Sequence, residues 1–187
     1  MPEADAVLRT ELDAALAALA GLALGRLARA GDVLWIHLGA LRAADGDGDG
    51  DGDEGAQSVG SHALMVACPW RWCTIDRVLV GSGDLLTPAD ADVELEDYDW
   101  DEPGASWLDV RLEELTARLA ASPVAVRRAA CDAWLGLRVE LDDDTVLELF
   151  PNSTPTGHVS TEFWRVLEPG SGAAHLVAGT FGIAREA

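Results

Sequence analysis

The sequence predicts an α+β fold: a single antiparallel sheet with two amphipathic helices on one face. Three observations predict it. Leucines recur at three-and-four spacing in residues 5–20 and again in 107–121, the period of a helix with one buried face. Short β-prone runs, bounded by Gly-, Pro- and Asp-rich turns, fill the rest of the chain. The longest of these runs, SHALMVACPWRWCT over Ser61–Thr74, holds two of the three cysteines and two of the seven tryptophans. It reads as the central strand, kinked at Pro69 because proline has no N–H for the ladder. With 187 residues and 49% hydrophobic content the chain can bury one sizeable core, so one domain over 1–187 is expected.

Each element has its own signal. Leu8, Leu12, Ala15, Leu16 and Leu19 form the first stripe, with Asp5 to cap it and Gly21 to end it. Residues 22–30 fit a strand or a continued helix. Asp32–Leu41 is apolar on both faces and reads as a well-covered strand with Val33, Trp35 and His37 on one side. Residues 44–59 form a flexible acidic loop. Within it Asp45, Asp47, Asp49 and Gly50 imitate the opening of a calcium loop, but Ala56 stands where the bidentate Glu belongs. A solvated surface insertion is the reading, and a weak cation site the alternative.

Along Ser61–Thr74 a regular pleat sends Leu64, Val66 and Cys68 one way and Met65 and Ala67 the other. Cys68 and Cys73 then fall on opposite faces, which disfavours a shared zinc and leaves them as inert thiols. Asp76–Leu86 reads as a short strand running into a turn. Residues 90–102, DADVELEDYDWDE, read as an acidic edge strand or a loop covering an edge, with Val93, Leu95, Tyr98 and Trp100 inward and the acids outward. Ser106 and Asp109 open the second helix with a capping box, and Pro123 lies just past its end. Strands follow at 124–130, 133–141 and 145–150, the last two joined by Asp142–Asp144, and then at 162–167 and 175–178. The halves are alike. Each has a helix, an Arg-Ala element near an Asp (Arg29–Asp32 and Arg128–Asp132), a Trp-bearing strand (Trp35 and Trp134) and a further strand. This suggests a duplicated helix-plus-hairpin unit.

Charge narrows the function. The net charge is −20, and fifteen of the acids lie in Asp45–Glu54 and Asp84–Glu102, where there is no arginine. A field of this sign argues against nucleic acid or an anionic membrane as partner. The chain has no lysine, which removes the phosphate-loop lysine and the Schiff base. Three cysteines imply no disulfide framework, and the acidic start lacks the basic region of a secretory signal, so a cytoplasmic protein is expected.

Candidate binding residues are Trp70, Arg71 and Trp72, where a guanidinium between two indoles could hold a carboxylate or a base, and Glu162 with Arg165, most simply an ion pair. His37, His62, His158 and His175 show no metal-binding or nucleophile-activating spacing. No cofactor or metal is expected.

Ala63–Arg71, then Gly81–Asp84, Phe150–Pro151, Glu162–Arg165 and His175 together resemble a family of small uncharacterised bacterial proteins of actinobacterial type. Its members carry an A-L-H-x-Q-C-P-W-R strand and a late E-x-W-R strand. The resemblance implies no particular activity, and Met65 and Ala67 stand here where the pattern has His and Gln. From the residues, the expectation is a non-catalytic binding or accessory protein, in its sharpest form an acidic, immunity-type neutraliser of a basic protein. The alternative is a small enzyme using Cys68 or a histidine near Arg71.

Overall fold

The computed structural model describes residues 2–43, 58–157 and 159–186. The expectations for the Asp/Gly tract 44–57 and for His158 lie outside those residues. In chain order the elements are α1 (Pro2–Ala18), β1 (Leu24–Ala30), β2 (Val33–Leu38), β3 (Arg42–Ala43), β4 (Ser58–Val59), β5 (His62–Val66), β6 (Trp70–Cys73), β7 (Val78–Gly81) and a short 3-10 helix (Ser82–Leu86). They continue with α2 (Trp107–Ala121), β8 (Val126–Cys131), β9 (Leu137–Leu141), β10 (Val146–Leu149), β11 (Glu162–Leu167), β12 (His175–Gly179) and β13 (Gly182–Glu186).

The class is α+β, but the single sheet is corrected to three. Six strands run β1-β2-β5-β11-β12-β13, five run β7-β6-β10-β9-β8, and β3-β4 is a short ribbon. All pairings are antiparallel. The reason lies at Pro69. A proline cannot extend a ladder, and here the chain leaves one sheet at Val66 and enters the other at Trp70. The period-two pattern survives the crossing: Leu64, Val66, Cys68, Trp70 and Trp72 are all buried. One run of sequence therefore supplies core residues to both sheets. A second crossing follows β10, so that β6 pairs with β10 while β11 returns to pair with β5.

The expectation that both helices cover one face of a sheet is corrected: each packs on strands of both large sheets. α1 packs on β8 and β13, and α2 on β1, β7 and the 3-10 helix. In α2 the leucine stripe Leu108, Leu112, Leu115 and Leu119 is buried, each side chain contributing roughly 1.5–3 kcal/mol. Its start is fixed as the sequence indicates: Ser106 Oγ accepts from the Asp109 N–H at 3.1 Å, and the Asp109 carboxylate accepts from the Ser106 N–H at 3.2 Å.

The order helix, hairpin, strand occurs twice, and the two copies touch where each hairpin begins. Ala23 bridges Ala125, with Leu24 N–H bonded to Val124 O and Val126 N–H to Leu22 O. The shift that carries Ala23 onto Ala125 exchanges these two bonds. Trp134 breaks the parallel. It sits exposed in the β8–β9 turn rather than on a strand, because that turn is longer than the Gly31-Asp32 turn of the first hairpin. The fully buried Trp164 ties the sheets together by donating its indole N–H to Leu135 O in that turn at 2.8 Å. Residues 90–102 form turns, not a strand, and β13 was not foreseen.

Candidate functional site

The expected binding residues separate into three places. Trp70 and Trp72 point into the core, and the Trp72 indole N–H donates to the buried Thr145 hydroxyl at 2.8 Å. Arg71, one residue out of phase, points the other way. The expected stack between two indoles is therefore not formed, and the guanidinium lies instead over the Phe150 ring, 5.0 Å from its centroid. It also binds Glu148 at 2.7 Å, and Glu148 is shared with Arg138 at 2.6 Å. Cys73 is on the same outer face, its thiol 3.9 Å from Glu148, and Cys68 on the opposite one, as the parity argument predicts. A hollow of about 740 Å³ on this face is lined by Arg71, Arg127, Arg138, Glu140, Asp144 and Glu148 among others. Its cations are already matched by carboxylates: Arg127 binds Asp144, and Arg138 binds Glu140.

Glu162 and Arg165 lie on the other large sheet. They form a two-pronged ion pair at 2.5 and 2.6 Å, extended to Glu186 at 3.2 Å and to His175 Nδ1 at 3.1 Å. The pair joins β11 to β12 and β13, which is the structural role its spacing suggests.

Among the described residues neither a histidine nor Arg71 lines the hollow that holds Cys68. Cys68 lines this hollow, of about 180 Å³, with Arg29, Asp32, Ser82 and Leu108. Burial pushes its thiol up to about 11, and Cys131 is likewise pushed up to about 11 by burial, so both are neutral thiols near pH 7. His37 is stacked on Trp35 at 6.4 Å, accepts from the Gly60 N–H at 3.4 Å, and has its pKa lowered by burial and by the charge of Arg26. Among the described residues no three His, Cys, Asp or Glu side chains converge to hold a metal.

Among the described residues the acidic loop stands without counter-ions. Across residues 78–110 there is no arginine, and all eight carboxylates between Asp90 and Glu102 are exposed without an ion pair among the described residues. Nine of the thirteen arginines are in ion pairs elsewhere. The loop is nonetheless anchored. Tyr98 donates its hydroxyl to Leu85 O at 2.5 Å, and Arg29 donates to Glu102 O at 3.1 Å. Of the four residues expected inward only Tyr98 is held that way; Val93, Leu95 and Trp100 are exposed, which corrects the edge-cover reading. Asp90 and Asp99 explain it, because each carboxylate captures the N–H two residues on, at 2.9 and 3.0 Å, turning the chain where a strand would run straight.

Beside this loop the Arg29–Asp109 pair closes one end of a groove. Its two hydrogen bonds measure 2.5 and 2.8 Å, and its side chains are only 8% and 16% exposed. Burial alone would raise the Asp109 carboxyl, but bonds from Arg29 and Ser106 and the Arg29 charge override it and hold the pKa at about 2. The groove, about 600 Å³, runs between β1 and α2. Sequence reasoning missed it because residues 22–30 carried no decisive period. Ala28, Ala30 and Gly31, small residues on a strand beside a helix stripe, were the available signal.

Neither a family model, nor a curated protein, nor a solved structure matches the chain. No helix among the described residues is long and apolar enough to cross a membrane.

Proposed function

We propose that this is a non-catalytic cytoplasmic binding or accessory protein whose partner is a basic protein, in the sharpest form an immunity-type neutraliser. One observation carries the reading: the carboxylates of Asp90–Glu102 are exposed and in no ion pair among the described residues, with Leu95 and Trp100 exposed among them. Carboxylates at this density draw a cationic surface from beyond contact range, over a Debye length of roughly 8 Å at physiological salt. Exposed Trp and Leu then supply the apolar anchors that charge alone does not. The repeated helix-hairpin-strand order supports a duplicated unit as the origin of the scaffold, with the acidic loop inserted between the copies.

The test is retention from a lysate of the organism on the immobilised protein. A variant with Glu94 and Glu96 changed to Gln and Asp97 and Asp99 to Asn serves as control. The expected result is a basic protein held by the wild type, released by raising salt, and not held by the variant. Equal retention by both would refute the role given to the loop, and retention of no basic protein at low salt would refute the reading.

A further inference from the structure

β1 is the edge strand of the six-stranded sheet, and among the described residues only β2 pairs with it along its length. Gly31, at φ 59°, occupies the first central position of the two-residue turn to β2, so Ala30 and Val33 close the hairpin as a hydrogen-bonded pair. Counting back by two, Ala28 bonds to Trp35, and the N–H and C=O groups of Leu27 and Arg29 turn to the open side. The groove follows that side. It is lined by five consecutive residues, Leu27 to Gly31, which alternate between the two faces of the sheet, as only a channel along the strand's edge allows. Its far wall is α2, through Leu112, Thr116, Ala117 and Ala120.

The lining suits a backbone. Ala28, Ala30, Gly31, Ala117 and Ala120 leave room for close approach, and Thr116 Oγ1 is buried with no hydrogen-bond partner among the described residues. The charge at the rim selects the occupant. Arg29 and Asp109 neutralise each other, whereas Asp101 and Glu113 line the groove without an ion pair among the described residues. A second copy of this chain would bring like charges together on a molecule of net charge −20, so the observations favour a cationic partner.

Resting on the proposed function, we infer that the partner docks by adding an extended basic segment as a new strand on β1, its main chain bonded to Leu27 and Arg29 and its Arg or Lys side chains on Asp101 and Glu113. The probe is a fluorescent octapeptide of alternating Arg and Val, with two further versions N-methylated at either the odd or the even amides. At low salt the wild type binds the parent peptide. One methylated version binds at least about tenfold more weakly than the other, because only one set of amides faces β1. Ala120→Trp, which fills the groove from an exposed helix position, and Ala117→Arg, which puts a cation in it, each weaken binding by a similar factor. Amide exchange at Leu27 and Arg29 slows on binding. Equal binding of all three peptides, unaffected by either groove variant but lost on neutralising the Glu94–Asp99 carboxylates, would overturn strand addition and leave the basic partner standing. Failure to bind any peptide while a basic protein is still retained from lysate would do the same. A peptide-free dimer that Ala120→Trp converts to monomer would show that a second copy fills the groove, and would overturn the inference.

Discussion

Replacing Asp109 with Asn should destabilise the protein by an amount that depends on pH in a defined way. In the folded chain the carboxyl is held at about 2, against an ordinary value of 3.8. The folded value is depressed, so the stabilisation is present above the ordinary value and is lost as pH falls toward the folded one. At about 1.4 kcal/mol per unit, the gap corresponds to about 2.5 kcal/mol at pH 7 and roughly half that at pH 3. Water in the groove screens part of this, so about 2.5 is the upper figure and about 1 the lower. Asn keeps one acceptor for the Ser106 cap but turns an N–H toward the Arg29 Nε–H, so the pH dependence of the difference, rather than its size alone, reports the charge. Urea unfolding of wild type and variant at pH 7, 5, 4 and 3 measures it. A difference below about 0.5 kcal/mol at pH 7, or one that stays constant down to pH 3, would refute the argument that Arg29 and the helix cap depress this group.

Trp72→Phe removes the indole donor to Thr145 inside the core and should cost about 1–2 kcal/mol in denaturant unfolding. Gly60→Ala would press a methyl against the main chain of Leu38, so the strand must shift; about 2–3 kcal/mol and a lowered Tm are expected, and an unchanged Tm would refute the tight approach. At pH 7.5 a disulfide reagent should modify one thiol of the native protein, the half-buried Cys73, with Cys68 and Cys131 reacting only on unfolding. Fast reaction at Cys68 would contradict its buried, neutral state.

Local chemistry was readable, and pairing across distance was not. Ser106 and Asp109 with four leucines marked α2, and Glu162–Leu167 lies where the sequence puts it, because caps and periods act over a few residues. The alternation over 64–72 told which side chains face inward. It could not tell that the inward direction belongs to two sheets, since Pro69 fits a bulge within one ladder as well as a passage between two. Val93, Leu95 and Trp100 alternate with acids as an edge strand would, yet the Asx turns at Asp90 and Asp99 win, each bending the chain within two residues. β13 is short and ends in Arg185 and Glu186. Arg185 reaches Glu11 on α1, a partner far off in sequence.

The two exchanged strands bear on how the chain comes together. With β6 lodged against β10 and β11 against β5, a backbone nick in the exposed stretch near Gly104 leaves two fragments, each carrying a piece of the other's layer. Such fragments are expected to stay associated after cleavage, and to regain the native state only when mixed. On the ribosome, the amino-terminal half must wait with its strand edges open until residue 167 has emerged.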